Sequence, residues 1–342
     1  MSRETEMIFR EFEKYMDEHG RPETEQDVND MMQAFMLEYN QSVASREPLT
    51  PATASSADDY IDLAAQAASL DEAIGYAKRA VKLEPDNLDA ELYYVALSAK
   101  DHFDRLNKIK RLVQKGNRMM KEQGYFDEEY IGAFWGFHQT RPYMRARQAY
   151  VDALLDVCMF EAAVVECEDM IRLSENDNIG ARYTLMHLYA LEGNEEKALE
   201  LFDRYTEDGA MMLLPLAVLY YKKNDLKTSL KYLKQIMKHN PDLKKFLRSA
   251  AELGDPLPDD FDPSMYRPYT VDEINVAVFE NDWLYMVNGM FFIWANNELN
   301  EKGRKNGSKK KTKKTGIANG KFKVPPDEMF YDDEITEMFE DV

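Results

Sequence analysis

The chain has 342 residues, with 63 acidic against 43 basic side chains and a formal net charge of -20. So acidic a body excludes general nucleic-acid binding, because phosphate contacts need a basic face. Two cysteines, Cys158 and Cys167, exclude a disulfide framework, and no paired ligands stand at zinc spacing.

Residues 4–19 and 23–41 are predicted as two amphipathic helices. Met7, Ile8, Phe9, Phe12 and Tyr15 crowd one side of the first, and Met31, Met32, Phe35, Met36 and Tyr39 one side of the second. Gly20 and Pro22 break the chain between them, and Thr24 caps the second helix. Residues 1–41 are therefore expected to form an N-terminal helical hairpin. The stretch 42–57 is rich in Ser, Thr, Ala and Pro and reads as a linker, which makes the hairpin a module of its own. The N-terminus is charged from its third residue and has no apolar core segment, so no secretory signal is expected. The apolar stretch Leu284–Ala295 is too short for a membrane span, which needs roughly 20 residues. A cytoplasmic location and a reducing compartment follow as expectations.

From 58 to 253 the pattern is that of stacked helical hairpins. A first unit covers 58–87, with Leu70, Ala73, Ala77 and Ala80 at packing places. Helices are predicted at Leu88–Lys100 and Phe103–Gln123, then an irregular aromatic insert over 125–143. Three regular units follow: Met144–Asp177, Ile179–Asp208 and Ala210–Pro241. In each, a small residue (Ala163, Ala198, Ser229) stands where two helices must touch. An apolar residue follows seven places on (Met170, Tyr205, Ile236), and a large one precedes it by nine (Leu154, Tyr189, Tyr220). Both cysteines are expected at packing positions, as small hydrophobes. A short helix, a proline-rich acidic stretch and a helix over 271–300 make 254–301 a helical cap, covering the packing face that an end repeat exposes. Residues 302–323 hold ten Lys/Arg and no acid. Residues 324–342 hold eight acids and no base. Both are expected to be disordered, the first drawn back by charge to the acidic body.

The recurrence resembles the tetratricopeptide repeat, about 34 residues long. That resemblance implies an all-α, right-handed α-solenoid. Residues Arg141–Arg147 (RPYMRAR) and the junction formed by Asn176, Asp177, Asn178, Gly180, Arg182 and Tyr183 are similar to those of bacterial relatives of the suppressor-of-tumorigenicity-seven family, over roughly residues 135–265. This second resemblance implies interaction work and brings no catalytic residues.

By repeat position, the first helix of each hairpin lines an inner groove. Arg145, Gln148, Asp152, Tyr183, His187, Tyr221 and Lys222 are the candidate partner-binding residues. The arginines of RPYMRAR either hold an anion or neutralise acids on a neighbouring hairpin. His187 has no nucleophile or orienting acid at recognisable spacing, and no Gly-rich phosphate loop occurs. The expectation is a protein–protein scaffold or adaptor binding a peptide or helical segment. No enzyme activity, cofactor, metal or membrane contact is expected. The alternative is a regulator acting near nucleic acid through the basic segment 302–323.

Overall fold

The computed structural model describes residues 3–22, 24–44, 48–253, 261–263 and 266–301. Helix makes up 73% of the described residues and no strand occurs among them, so the class is all-α. The basic and acidic tail segments, 302–342, lie outside the described residues.

The chain divides at Asn297. In the first unit the N-terminal hairpin is α1 (Arg3–His19) and α2 (Glu25–Ala44), so α2 runs three residues into the expected linker. Phe12 and Phe35 are buried between them, with ring centroids 5.2 Å apart. Five helix pairs follow: α3 (Ala57–Ala65) with α4 (Leu70–Leu83), α5 (Leu88–Ser98) with α6 (His102–Glu122), α7 (Arg141–Leu155) with α8 (Phe160–Leu173), α9 (Ala181–Glu192) with α10 (Glu195–Tyr205), and α11 (Ala210–Lys222) with α12 (Leu226–His239). Each helix packs on the next, and α3 with α5, α5 with α7 and α9 with α11 also touch. The 125–143 insert contains only two single 3-10 turns, Phe134–Gly136 and His138–Thr140, before α7 begins.

Polar caps set the helix starts. Ser56 and Asp59 form a reciprocal capping box, and the side chains of Ser69, Asn87, Asp101, Asn194 and Asp225 each accept from a first-turn backbone N–H. Within the last three pairs one residue in the left-handed region turns the chain: Cys158 (φ 56°), Gly193 (φ 77°) and Asn224 (φ 61°). Cys158 thus sits in an exposed turn rather than at a packing position; Cys167 is the buried one. Ala198 and Ser229 stand 31 residues apart where Ala163 and Ala198 stand 35 apart, because α10 has 11 residues against 14 in α8 and the connection after it has four (206–209) against seven (174–180).

Ala163, Ala198 and Ser229 are all fully buried. Ser229 Oγ donates to the Ala217 carbonyl at 2.6 Å, so α12 crosses α11 in direct contact there. A larger side chain has no room at such a crossing. Ala198→Leu is expected to destabilise the fold by about 1–3 kcal/mol through overpacking. Urea denaturation of the variant checks this, and an unchanged midpoint would refute the register.

After α13 (Leu243–Leu253), the expected helix over 271–300 is broken into α14 (Val271–Phe279), α15 (Asp282–Met286) and α16 (Met290–Asn296). Asn281 and Asn288 cause the breaks. Their side-chain amides turn back to donate to the carbonyls of Ala277 (3.2 Å) and Leu284 (2.8 Å), which bends the chain out of the helical path. The three pieces lie along the hairpins: α14 on α11 and α13, α15 on α9, α16 on α13. Helix α11 is consequently buried on all sides, every residue from Ala210 to Tyr220 lying in the interior. The buried Glu273 carboxylate fastens α14 to the start of α11, accepting from Ala210 N at 2.9 Å. A Cβ on Gly209 would strike that carboxylate, so the close approach requires glycine. Of the second unit, Asn297–Glu301 forms one π-helical turn.

Candidate functional site

The RPYMRAR arginines are engaged inside the molecule. Arg145 Nη1 and Nη2 donate to Glu6 Oε1 and Oε2, each at 2.9 Å. Its Nε and Nη2 also reach Asp89, at 2.8 and 2.6 Å. Burial alone would lower the pKa of this guanidinium, but the bonds to Asp89 and Glu6 outweigh it and raise it. Glu6 is buried and receives a longer contact, 3.5 Å, from Arg141. Arg147 bonds Glu166 and Asp169 on α8, and Glu13 of α1 pairs with His138. Of the two roles open to these arginines, neutralising acids is the one the geometry displays. Ion pairs therefore tie α1 to α7 despite the linker.

His187 departs from the expected open groove. It is 0% exposed beneath α15. Nδ1 lies 2.7 Å from the Tyr183 carbonyl, which only accepts, so Nδ1 carries the proton. Nε2 is then the acceptor, and Tyr285 Oη donates to it at 2.9 Å. Burial pulls the imidazole down to about 4, against the smaller upward pull of the Tyr183 carbonyl. Tyr221 is half-covered, its ring against Phe291 (5.4 Å) and Trp294 (5.2 Å) of α16. Lys222 donates to the carbonyls of Ala190 and Leu191, a cation at the C-terminal end of α9.

The remaining three candidates, Gln148, Asp152 and Tyr183, meet in one cleft of about 1120 Å³. One wall is α7 and the turn at Asp156–Cys158. A second is the junction Asn176–Gly180 with the start of α9. The third is the C-terminal segment, through Phe279, Glu280, Trp283 and Met286. Asp177 orders the second wall: its Oδ1 accepts from Ala181 N at 2.9 Å and its Oδ2 from Arg182 N at 2.8 Å. Arg182 stacks on the Tyr183 ring at 4.1 Å, and Tyr183 Oη donates to Glu207 at 2.9 Å. Trp283 is positioned by Phe160, centroids 5.4 Å apart, and by the edge of His187.

Two polar atoms at the cleft are buried with no hydrogen-bond partner, the acceptor Gln148 Oε1 and the donor Trp283 Nε1. The Gln148 amide itself donates to Asp152 at 3.0 Å. Burial pushes the Asp152 carboxyl up against the downward pull of the Gln148 amide and Arg105, and burial followed by the Asp152 charge pushes Glu280 up. The sequence reading missed Glu280 and Trp283. A signal for them existed in the unbroken apolar run Ala210–Tyr221, which requires cover on the side assigned to the groove.

Among the described residues no group of three or more potential metal ligands occurs, and no helix is long and apolar enough to cross a membrane. No protein-family model matches the chain, and no curated protein matches it.

Proposed function

We propose that this chain is a cytoplasmic, non-catalytic scaffold or adaptor, a right-handed solenoid of tetratricopeptide-like hairpins that holds a segment of a partner protein in the cleft between α7, α9 and α14–α15. The observation that carries this reading is the open cleft itself, walled by two hairpins and the C-terminal segment and lined by polar and aromatic side chains, Gln148, Asp152, Tyr183 and Trp283 among them. The size agrees. At about 1120 Å³ the cleft has room for a short peptide segment.

Cys158 supplies the test. It is exposed and lines the cleft, whereas Cys167 is buried with its thiol pushed far up, so a maleimide modifies Cys158 selectively. Peptides selected by the full chain from a random display library are expected to lose binding once Cys158 carries a bulky adduct. Failure to select any peptide, or undiminished binding to the blocked protein, overturns the reading.

A further inference from the structure

Helix α12 carries four lysines and no acid, in a chain whose formal charge is -20. Lys227, Lys231, Lys234 and Lys238 follow one another at steps of four, three and four residues. At 3.6 residues per turn they fall within about 60° of one another, in a single row about 16 Å long. All four are exposed, and none forms a salt bridge among the described residues. Lys227 lies in the field of the N-cap Asp225, and Lys231 rests over the Tyr232 ring at 5.9 Å.

Neither the hairpin nor the helix requires this row. The corresponding places on α10, 31 residues earlier, hold Glu196, Glu200 and Asp203, which are also exposed. One repeat position therefore accepts either sign. Helix polarity favours acids in a first turn, where α10 has Glu195 and Glu196, yet α12 has Lys227 there. Lysines three and four residues apart repel, and no acid is interleaved to offset it. The positive strip is one helix wide. Helix α10 lies alongside, the Phe202 and Tyr232 ring centroids 6.4 Å apart, so acids border the strip on that side. None of the four lysines lines the cleft described above.

We propose that the lysine row of α12 is a second docking surface, for an acidic helix of a partner protein whose carboxylates repeat at the same four-, three- and four-residue steps. Charge complementarity sets the sign, and the common rise of two helices keeps all four pairs in register. An extended strand advances about 6.6 Å between side chains on one face, against about 6 and 4.5 Å along this row, so it drifts out of register. A nucleic-acid duplex or an anionic bilayer is wider than one helix. Either would also lie over the acids of α10, at a range where charge is not screened, the Debye length being about 8 Å at physiological ionic strength. Helix α12 offers a bilayer little to insert, Leu226 being its one exposed large apolar side chain. A single acidic helix meets the row alone. This surface does not depend on the peptide-binding reading of the cleft.

The test is fluorescence anisotropy on the full chain, with a labelled alanine-rich helical peptide bearing four glutamates at those steps. A scrambled twin has the same composition with its glutamates spread around the helix. The ten bases of 302–323 attract both peptides, so the twin and the α12 variants together isolate the row. The row peptide is expected to bind saturably, at least about tenfold more tightly than its twin. Lys231→Gln/Lys234→Gln should weaken it about tenfold, and Lys231→Arg/Lys234→Arg should retain it. Lys110→Gln/Arg111→Gln removes two exposed charges from α6 and should change nothing. A maleimide adduct on Cys158 should leave the row peptide bound, so this inference and the cleft reading fail separately. The inference falls if the twin binds as tightly as the row peptide, if the α6 variant weakens binding as much as the α12 variant, or if the Cys158 adduct abolishes it. It falls equally if a short DNA duplex or phosphatidylserine vesicles bind as tightly as the row peptide at physiological salt and lose that binding in Lys231→Gln/Lys234→Gln. Should that variant fail to fold, Lys227→Gln/Lys238→Gln at the two ends of the row gives the same reading.

Discussion

Between pH 7 and pH 5 the wild-type protein is expected to lose about 2 kcal/mol of stability through His187 alone. The imidazole is held down at about 4 in the folded state against an ordinary 6.5. Between those values the unfolded chain binds a proton at this residue and the folded chain does not. Stability from this group is therefore complete above pH 6.5 and falls as the pH drops towards 4, by roughly 3 kcal/mol in total. Burial raises the carboxyls of Asp152, Asp177, Glu273 and Glu280, which act in the opposite direction on acidification. The measurement is consequently a difference. Urea unfolding of wild type and His187→Gln at pH 7 and pH 5 cancels those shared contributions, and the gap between the proteins should shift by about 2 kcal/mol against the wild type. A gap that does not change with pH would mean that His187 is solvated in the folded state.

Arg145→Met is expected to destabilise the protein by about 3 kcal/mol, through Glu6 rather than through any lost partner contact. Glu6 is 4% exposed and takes both of its short hydrogen bonds from Arg145. Removing the guanidinium leaves a buried carboxylate with only the longer contact to Arg141, at 3.5 Å, among the ion pairs of the described residues. Breaking one side of a buried pair costs about 3–5 kcal/mol, and the residual arginine places the effect at the lower end. Helix α1 should then release from α7. Limited proteolysis within 48–56 would be accelerated, and the urea midpoint would fall. The double variant Arg145→Met/Glu6→Leu should be less destabilised than Arg145→Met, because it removes the stranded charge as well. A single variant with a wild-type midpoint would show that Glu6 reaches water.

The hairpin register was legible because it repeats. Ala163, Ala198 and Ser229 announce a crossing three times, and the left-handed turn residues Cys158, Gly193 and Asn224 keep the same spacing five residues earlier. The covering of the inner face by α14–α16 was not legible in this way, since it depends on contacts such as His187 with Tyr285, 98 residues apart. Local periodicity carries no information about such a pair. Arg145 has the same history. Its motif says that a cation stands near a helix start, but its partner Glu6 lies 139 residues away. The candidate groove residues Gln148, Asp152 and Tyr183 fall in the cleft because their own helices form two of its walls. Glu280 and Trp283 belong to the third, whose helices are interrupted by Asn281 and Asn288 and show no long apolar stripe.

The two long-range ties have a kinetic consequence. A stack of hairpins behaves as a one-dimensional chain of neighbours, in which ends fray first and folding starts anywhere. Here the beginning of the chain is locked to its middle by Glu6 and Arg145, and the segment after α13 is locked to α9 and α11 by Tyr285 and Glu273. Neither clamp can close until the helices it grips exist, so both close late, after the local hairpins have formed. Such sequence-distant closures slow folding relative to an open stack of equal length. They also couple the ends to the centre, so that the array unfolds as one cooperative body instead of peeling hairpin by hairpin.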